Sequence, residues 1–337
     1  VSDQHELLVQ TVARLLDSLR NQAELPFAQG WERIAELGIP GLMTAEESGG
    51  FGGGWRDLLA VQLEAGRKAA PFPIGETILA TAACAASGLE PSEGLGVIAL
   101  EGTGACDGSH FSGSCRNVPW GRHAQWILAM SEDGRWWRIE TAKGSTSCAH
   151  NLAGEPRDTL VFTDVSCEPC ETSAHLSLGR HECAALLRVG QIAGALEASL
   201  ALTSEHVSSR VQFGKVLGRF QVVQQQLAIF ASEATAADCA ARAACRSAEV
   251  NDSTSGAAYA IAAAKLRANI AIGIATAIAH QLHGAIGFTI EHPLQRLTRR
   301  LWAWRTEAGN DRFWAARLGS QVIQRGAGRA WEDLVRA

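Results

Sequence analysis

The chain has 337 residues, 47% of them hydrophobic and 19% charged, with a formal net charge of −5. That length buries a large core and implies two or three domains, while the mild acidity excludes a dedicated nucleic-acid surface, which needs a clustered basic excess. No uninterrupted apolar run reaches membrane-spanning length, the stretch Val1-Ser2-Asp3-Gln4-His5-Glu6 lacks the basic start of a signal peptide, and the nine cysteines follow no disulfide framework; a reduced, cytoplasmic setting without a membrane partner is expected.

Residues from about 3 to 90 read as helices. Leu7, Leu8, Val12, Leu15, Leu16 and Leu19 recur at helical spacing. Trp31 to Leu37 forms a second amphipathic piece, ended by Gly38 and Pro40. A glycine-rich loop, Ser48 to Gly54, precedes helical patterns over about 55–69 and 74–87. Near Leu95 the period changes, and short apolar runs alternate with turn residues. Trp126 to Met130 and Trp136 to Ile139 flank Asp133-Gly134, a hairpin signal, and Thr159 to Phe162 is a further strand candidate. From about 180 the helical period returns, and alanine is dense from Ala228 to Ala279, the mark of closely stacked helices. Leu227, Phe230, Ala234 and Ala237 fall on one face. The expected fold is mainly α with a central, mostly antiparallel β domain: helices over 1–94, strands over 95–172 and a helical bundle over 173–337. It is not a βαβ nucleotide fold.

Few residues carry overt chemistry. The ten histidines form no metal-binding motif, and no metal site is expected. Cys167-Glu168-Pro169-Cys170 is a lone pair without a second pair at zinc spacing, and is taken as incidental. No Gly-Lys-Ser/Thr follows the glycine-rich loop, so a P-loop is excluded. Two punctuated stretches stand out. Arg210-Val211-Gln212-Phe213-Gly214-Lys215, with Phe220-Gln221 after it, lies between two long helical patterns. A guanidinium there can pair bidentately with phosphate and an aromatic ring can cover a base; the same residues also suit an ordinary helix end with a buried Phe at the turn. Gln281-Leu282-His283-Gly284-Ala285-Ile286-Gly287-Phe288-Thr289 closes a helix and reopens the chain. Its glycines either admit a ligand to the backbone or simply terminate the helix.

Together the two stretches resemble the acyl-CoA dehydrogenase family, flavoproteins that desaturate acyl-CoA thioesters. The patterns are Arg-x-x-Phe-Gly followed by Phe-Gln, and Gln-x-x-Gly-Gly-x-Gly, with Ala285 standing at the second glycine. Leu37 to Leu42 and Glu46 to Gly52 extend the resemblance to the N-terminal region, and Glu291-His292-Pro293-Leu294 continues it after the second motif. It implies a helical domain, a β-barrel-like domain and a C-terminal four-helix bundle. It also implies FAD held by Arg210, Phe213, Gln221, Gln281 and Gly284, commonly across a subunit boundary, and an acyl-CoA substrate. Electrons would pass to an electron-transfer flavoprotein, and the assembly would be a homo- or hetero-oligomer, a dimer of dimers.

The resemblance makes Glu307 the catalytic base, because it follows Gln281 by 26 positions (307 − 281 = 26). A base here must take the α-proton while a hydride leaves Cβ, and an apolar surround from Trp302, Trp304 and Phe313 would raise its basicity. A solvated helical charge beside Arg305 is the competing reading. Glu-Ala-Gly replaces the family's Glu-Gly-Thr, and Glu182 is a second choice for a base on an earlier helix. The β region, reading Ala99 to Asp107 where the family meets the flavin ring, departs most from the pattern and is shortened. Such short chains resemble subunits of bacterial heteromeric steroid-type acyl-CoA dehydrogenases, which act on CoA esters of steroid side chains or other bulky acids. A non-catalytic partner subunit that completes a flavin site therefore stands as one alternative. A flavin oxidase or monooxygenase on the same fold is another.

Overall fold

The computed structural model describes residues 3–20, 22, 25–90, 92–171, 177–250, 254–326, 328–329 and 332. Val1 and Ser2 of the N-terminal stretch and the expected domain edge at 172 lie outside them. The chain divides into two compact units, one of Val1–Val61 with Pro71–Ala184, the other of Gln62–Ala70 with Ala185–Ala337.

In the first unit, α1 (Asp3–Arg20) and α2 (Phe27–Glu36) are followed by the start of α3 (Trp55–Lys68) and by α4 (Ile74–Ala86). Their apolar residues fall at helical spacing and are buried: Val12 and Leu16 on α1, Ile34 on α2, Ile78 and Leu79 on α4. The period change near Leu95 marks the first of eight strands among the described residues of this unit. β1 (Gly96–Ile98), β4 (Trp126–Met130), β5 (Trp136–Glu140) and β8 (Glu168–Cys170) form one sheet in the order β1-β4-β5-β8. β2 (Glu101–Cys106), β3 (His110–Pro119), β6 (Ser145–Ser147) and β7 (Arg157–Ser166) form another in the order β2-β3-β7-β6. Every pairing is antiparallel except β1 with β4. The Asp133-Gly134 signal is realised: Gly134 takes φ 82° and Met130 pairs with Trp136 across the turn. Asp158, fully buried, accepts from the Arg122 guanidinium at 2.6 Å and from the Arg122 and Ala149 backbone amides, a compensated buried charge of the kind that tolerates burial.

The second unit is helical. α5 (Arg180–Ser209) runs into it, followed by α6 (Gln221–Val250), α7 (Thr254–His283), α8 (Leu294–Thr306) and α9 (Asp311–Arg325). α6 and α7 are each 30 residues long and pack along alanine faces. Phe230, Ala234, Ala237, Ala241 and Ala244 are buried on α6, as the sequence period requires, and Ala260, Ala264, Ala268, Ala271 and Ala275 on α7. α7 also packs against α8 and α9. Small side chains let helix axes approach, and between the end of α3 and α5 the approach becomes backbone contact. A Cβ added at Gly194 would meet Leu63 O at 2.0 Å, and one at Gly66 would meet Gln191 O at 2.1 Å.

α5 and α7 each contain a window long and apolar enough to cross a membrane by length and composition, which the reading from apolar runs missed. Those windows are 72% and 56% buried inside the protein, the pattern of alanine-rich core helices.

Candidate functional site

α5 ends at Ser209, and the Arg210 amide still donates to His206 O at 2.9 Å. The chain then makes a two-stranded hairpin, β9 (Val211–Gln212) with β10 (Lys215–Val216). Phe213 (φ 52°) and Gly214 (φ 79°) occupy its turn. Two consecutive positive φ values match the right-handed twist of a tight hairpin, and Asn-Gly is the sequence such a turn prefers. A phenylalanine in that conformation is strained. The competing reading of a buried Phe at this turn is not met: Phe213 is 88% exposed, its ring edge-on to Phe220 at 6.3 Å, while Lys215 Nζ lies 4.2 Å over the Phe220 ring.

One apolar cluster fixes this turn against the other motif. Val207 from α5, Val223 from α6 and Leu282 from α7 are buried together, with Leu217, Phe220, Leu227 and Ile278 packed against them. These residues are near neighbours of Arg210, Gln221 and Gln281. The three helix ends therefore carry Arg210, Phe213, Gln221, Gln281 and Gly284 on one end of the helical unit, all exposed. Among the described residues, the Arg210 guanidinium has no hydrogen-bond or ion-pair partner. Gly284 takes φ 65° and has open space where a Cβ would stand. An unpaired guanidinium, a bare aromatic face, two amides and an open glycine suit the charged and planar half of a dinucleotide: phosphate oxygens need donors and a purine needs a flat apolar cover.

Behind this surface lies a histidine cluster that sequence spacing did not disclose. His206 stacks on His283 at 4.5 Å, His292 meets His283 edge-on at 4.8 Å, and His280 stacks on Phe288 at 4.1 Å. His283 is 6% exposed; its Nδ1 is bonded to Ala279 O at 2.8 Å and its Nε2 is buried without a partner. Burial first, and then the neighbouring imidazoles, push the His283 pKa down to about 4.

Glu307 belongs to a different cluster. It follows the last residue of α8 with extended backbone, and its Oε2 accepts from Arg188 Nε at 2.8 Å. Arg188 Nη1 in turn donates to Gln191 Oε1 at 2.8 Å. Lys265, fully buried on α7, donates to Asn269 Oδ1 at 2.7 Å and to the carbonyls of Trp304, Arg305 and Gly309 at 3.1, 3.3 and 3.1 Å. It thus satisfies the last carbonyls of α8, a helix cap delivered from another helix. Burial, with Arg188 beside it, lowers the Lys265 pKa to about 7. The aromatic surround differs from the expectation. Trp304 is buried, but Trp302 and Phe313 are 40% and 38% exposed, and Glu307 is ion-paired with Arg188 at 2.8 Å. The second-choice base, Glu182, is buried in the first turn of α5.

The two clusters are separated along α5. Arg188 precedes Arg210 by 22 positions (210 − 188 = 22), which is about 33 Å of helix at 1.5 Å per residue.

Comparison with known proteins gives matches over both ends of the chain. Residues 3–90 match the model described as Acyl-CoA dehydrogenase, N-terminal domain, and residues 179–322 that described as Acyl-CoA dehydrogenase, C-terminal domain. Acyl-CoA dehydrogenase FadE34 of Mycobacterium tuberculosis is 30% identical over 297 residues, 85% of this chain; the chain spans 41% of that relative's length. Acyl-CoA dehydrogenase IpdE2 of Mycolicibacterium smegmatis is 29% identical over 339 residues, 96% of this chain and 100% of the relative. Among solved structures, the Tcur3481-Tcur3483 steroid ACAD G363A variant superposes with a TM-score of 0.85 at 21% identity, over 96% of this chain and 98% of that one.

Proposed function

Because the chain belongs to the acyl-CoA dehydrogenase family, we propose that it acts as a subunit of an FAD-dependent enzyme that introduces an α,β double bond into an acyl-CoA thioester. The observation that carries this reading is the exposed end of α5, α6 and α7, where an unpaired Arg210 and a bare Phe213 stand beside the open Gly284. FAD, when bound, supplies the acceptor for the hydride that leaves Cβ. Arg210 would pair with a phosphate of its ADP half, Phe213 would cover the adenine, and the Gln221 and Gln281 amides would orient the linker. Glu307 would take the α-proton onto Oε2, and Arg188 would hold that carboxylate and set its direction. The separation of about 33 Å along α5 favours an inter-subunit arrangement, with the Arg210 end of one chain serving the FAD of its neighbour. A dimer of dimers, an electron-transfer flavoprotein as acceptor and a cytoplasmic location complete the proposal.

A second reading is favoured by the Arg188–Glu307 ion pair itself. If that contact persists with substrate present, Glu307 has a structural role, and the chain completes the flavin site of a second, catalytic subunit. The heteromeric name of the superposed steroid enzyme is consistent with such a pairing. A flavin spectrum of the chain purified alone distinguishes the two. Bound FAD that bleaches on adding an acyl-CoA supports catalysis by this chain. A colourless protein that acquires FAD only when co-expressed with a second subunit overturns it in favour of the partner role.

A further inference from the structure

The Cys167-Glu168-Pro169-Cys170 stretch has a geometry that its spacing conceals. The two cysteines do not face each other. Cys170 is buried, its Sγ 3.2 Å from Ser87 Oγ and 3.3 Å from Ala83 O. Cys167 instead faces Cys106 at the end of β2, sulfur to sulfur at 3.5 Å across 61 positions of sequence. Both are half-buried, so a small oxidant reaches them while the flanking backbone stays fixed. That backbone is pinned on each side: the Cys167 amide donates to Ser109 O at 2.9 Å, and the Gly108 amide donates to Cys106 Sγ at 3.4 Å. A disulfide needs sulfurs about 2.05 Å apart, so closure requires the two sulfurs, now 3.5 Å apart, to approach by roughly 1.5 Å.

We propose that Cys106 and Cys167 are a peroxide-responsive thiol pair that closes reversibly to a disulfide, with Cys106 the sulfur oxidised first. The amide hydrogen bond from Gly108 holds the Cys106 sulfur in place. Burial, together with contact to Cys106, pushes the Cys167 pKa up to about 12, which keeps Cys167 a thiol until it is needed. In the first step the Cys106 thiolate attacks one oxygen of hydrogen peroxide. An S–O bond forms, the O–O bond breaks, hydroxide leaves, and Cys106 becomes a sulfenic acid, oxidised by two electrons. In the second step the Cys167 sulfur attacks the Cys106 sulfur. The S–S bond forms, the S–O bond breaks, and the thiol proton leaves with the hydroxyl as water. An added dithiol restores both cysteines.

The test is non-reducing peptide mapping of the full chain after brief treatment with hydrogen peroxide. The expected product is a cross-linked peptide joining Cys106 to Cys167 that disappears with dithiothreitol and brings a reversible rise of several degrees in Tm. Recovery of Cys106 and Cys167 as separate, freely alkylated thiols, while the exposed Cys148 and Cys239 are oxidised, overturns the proposal. In Cys167→Ser, dimedone should label Cys106 as a trapped sulfenic acid. Labelling elsewhere but not on Cys106 overturns the assigned order. The wild-type map requires no variant to fold.

Discussion

Arg188 and Glu307 meet at 2.8 Å from positions 119 apart in the chain, both largely buried. Removing one partner of such a pair takes from the other its ion pair, which costs about 3–5 kcal/mol when burial is complete. Glu307→Gln and Arg188→Met should each lower stability by about 3 kcal/mol in denaturant titrations. The kinetics separate the two functional readings. If Glu307 is the base, Glu307→Gln retains FAD and acyl-CoA but slows flavin bleaching by at least about 10²-fold. An unchanged bleaching rate in a destabilised Glu307→Gln assigns the carboxylate to structure and the base to another residue or subunit.

Arg210→Ala should separate cofactor binding from folding. The side chain is exposed and makes no contact whose loss would destabilise the chain, so the change in unfolding free energy should stay within about 0.5 kcal/mol. A guanidinium–phosphate pair contributes roughly 1.5–3 kcal/mol, so FAD affinity should fall by about 10- to 100-fold. Flavin fluorescence during titration of the apoprotein measures this directly. Equal FAD affinity in the variant would remove Arg210 from the site.

Phe213→Asn should act in opposite directions on stability and on function. Asparagine tolerates the positive φ that the hairpin turn imposes, and relief of strain should stabilise the chain by about 1 kcal/mol. Loss of the exposed ring removes the cover proposed for adenine, so FAD should bind more weakly. A combined rise in Tm and loss of flavin supports a turn residue kept for its ligand. A rise in Tm with full flavin retention assigns the ring to another task.

His283 should make the chain acid-sensitive. Its pKa falls from the ordinary 6.5 in the unfolded chain to about 4 in the folded one. The unfolded state therefore binds the proton first as pH drops. The contribution of a neutral His283 is complete above pH 6.5 and is lost as pH falls through about 4. Urea titrations at pH 7 and pH 4.5 should differ by about 2 kcal/mol from this group. His283→Phe should flatten that part of the profile, whereas an unaltered pH dependence would assign the acid sensitivity to other groups.

Much of the fold was legible because local chemistry and final structure agree. Gly134 marks a turn that only a positive φ can make, and Phe230, Ala234 and Ala237 lie on one face of α6 and are buried. The cofactor residues were legible as motifs because they lie close together in sequence at helix ends. What escaped was non-local. Neither the parallel pairing of β1 with β4 nor the contact of Arg188 with Glu307 leaves a periodic trace. Lys265 leaves only a faint one, a cation next to Ala264 on an alanine-rich helix, whose carbonyl partners lie about 40 residues onward at the end of α8 and on the α8–α9 connection. His206, His283 and His292 meet only because the end of α5 comes together with the end of α7 and the residues that follow it.

The α6–α7 pair also bears on the order in which the chain assembles. Val250 and Thr254 are separated by three residues, so zipping the two helices together closes only a short loop and costs little chain entropy. The strands face a larger cost, because β1 reaches β4 about 30 positions onward and β3 reaches β7 across a longer excursion still. The helical hairpin is therefore suited to nucleate folding and the paired sheets to follow. Ala237→Gly and Ala268→Gly should slow refolding nearly in proportion to the stability they remove, whereas truncations in β4 should chiefly speed unfolding. In that sequence of events the surface bearing Arg210 and Gln281 would take shape late in the closure of the hairpin, since the start of α6 and the end of α7 lie farthest from the Val250–Thr254 connection and Arg210 follows the separate helix α5.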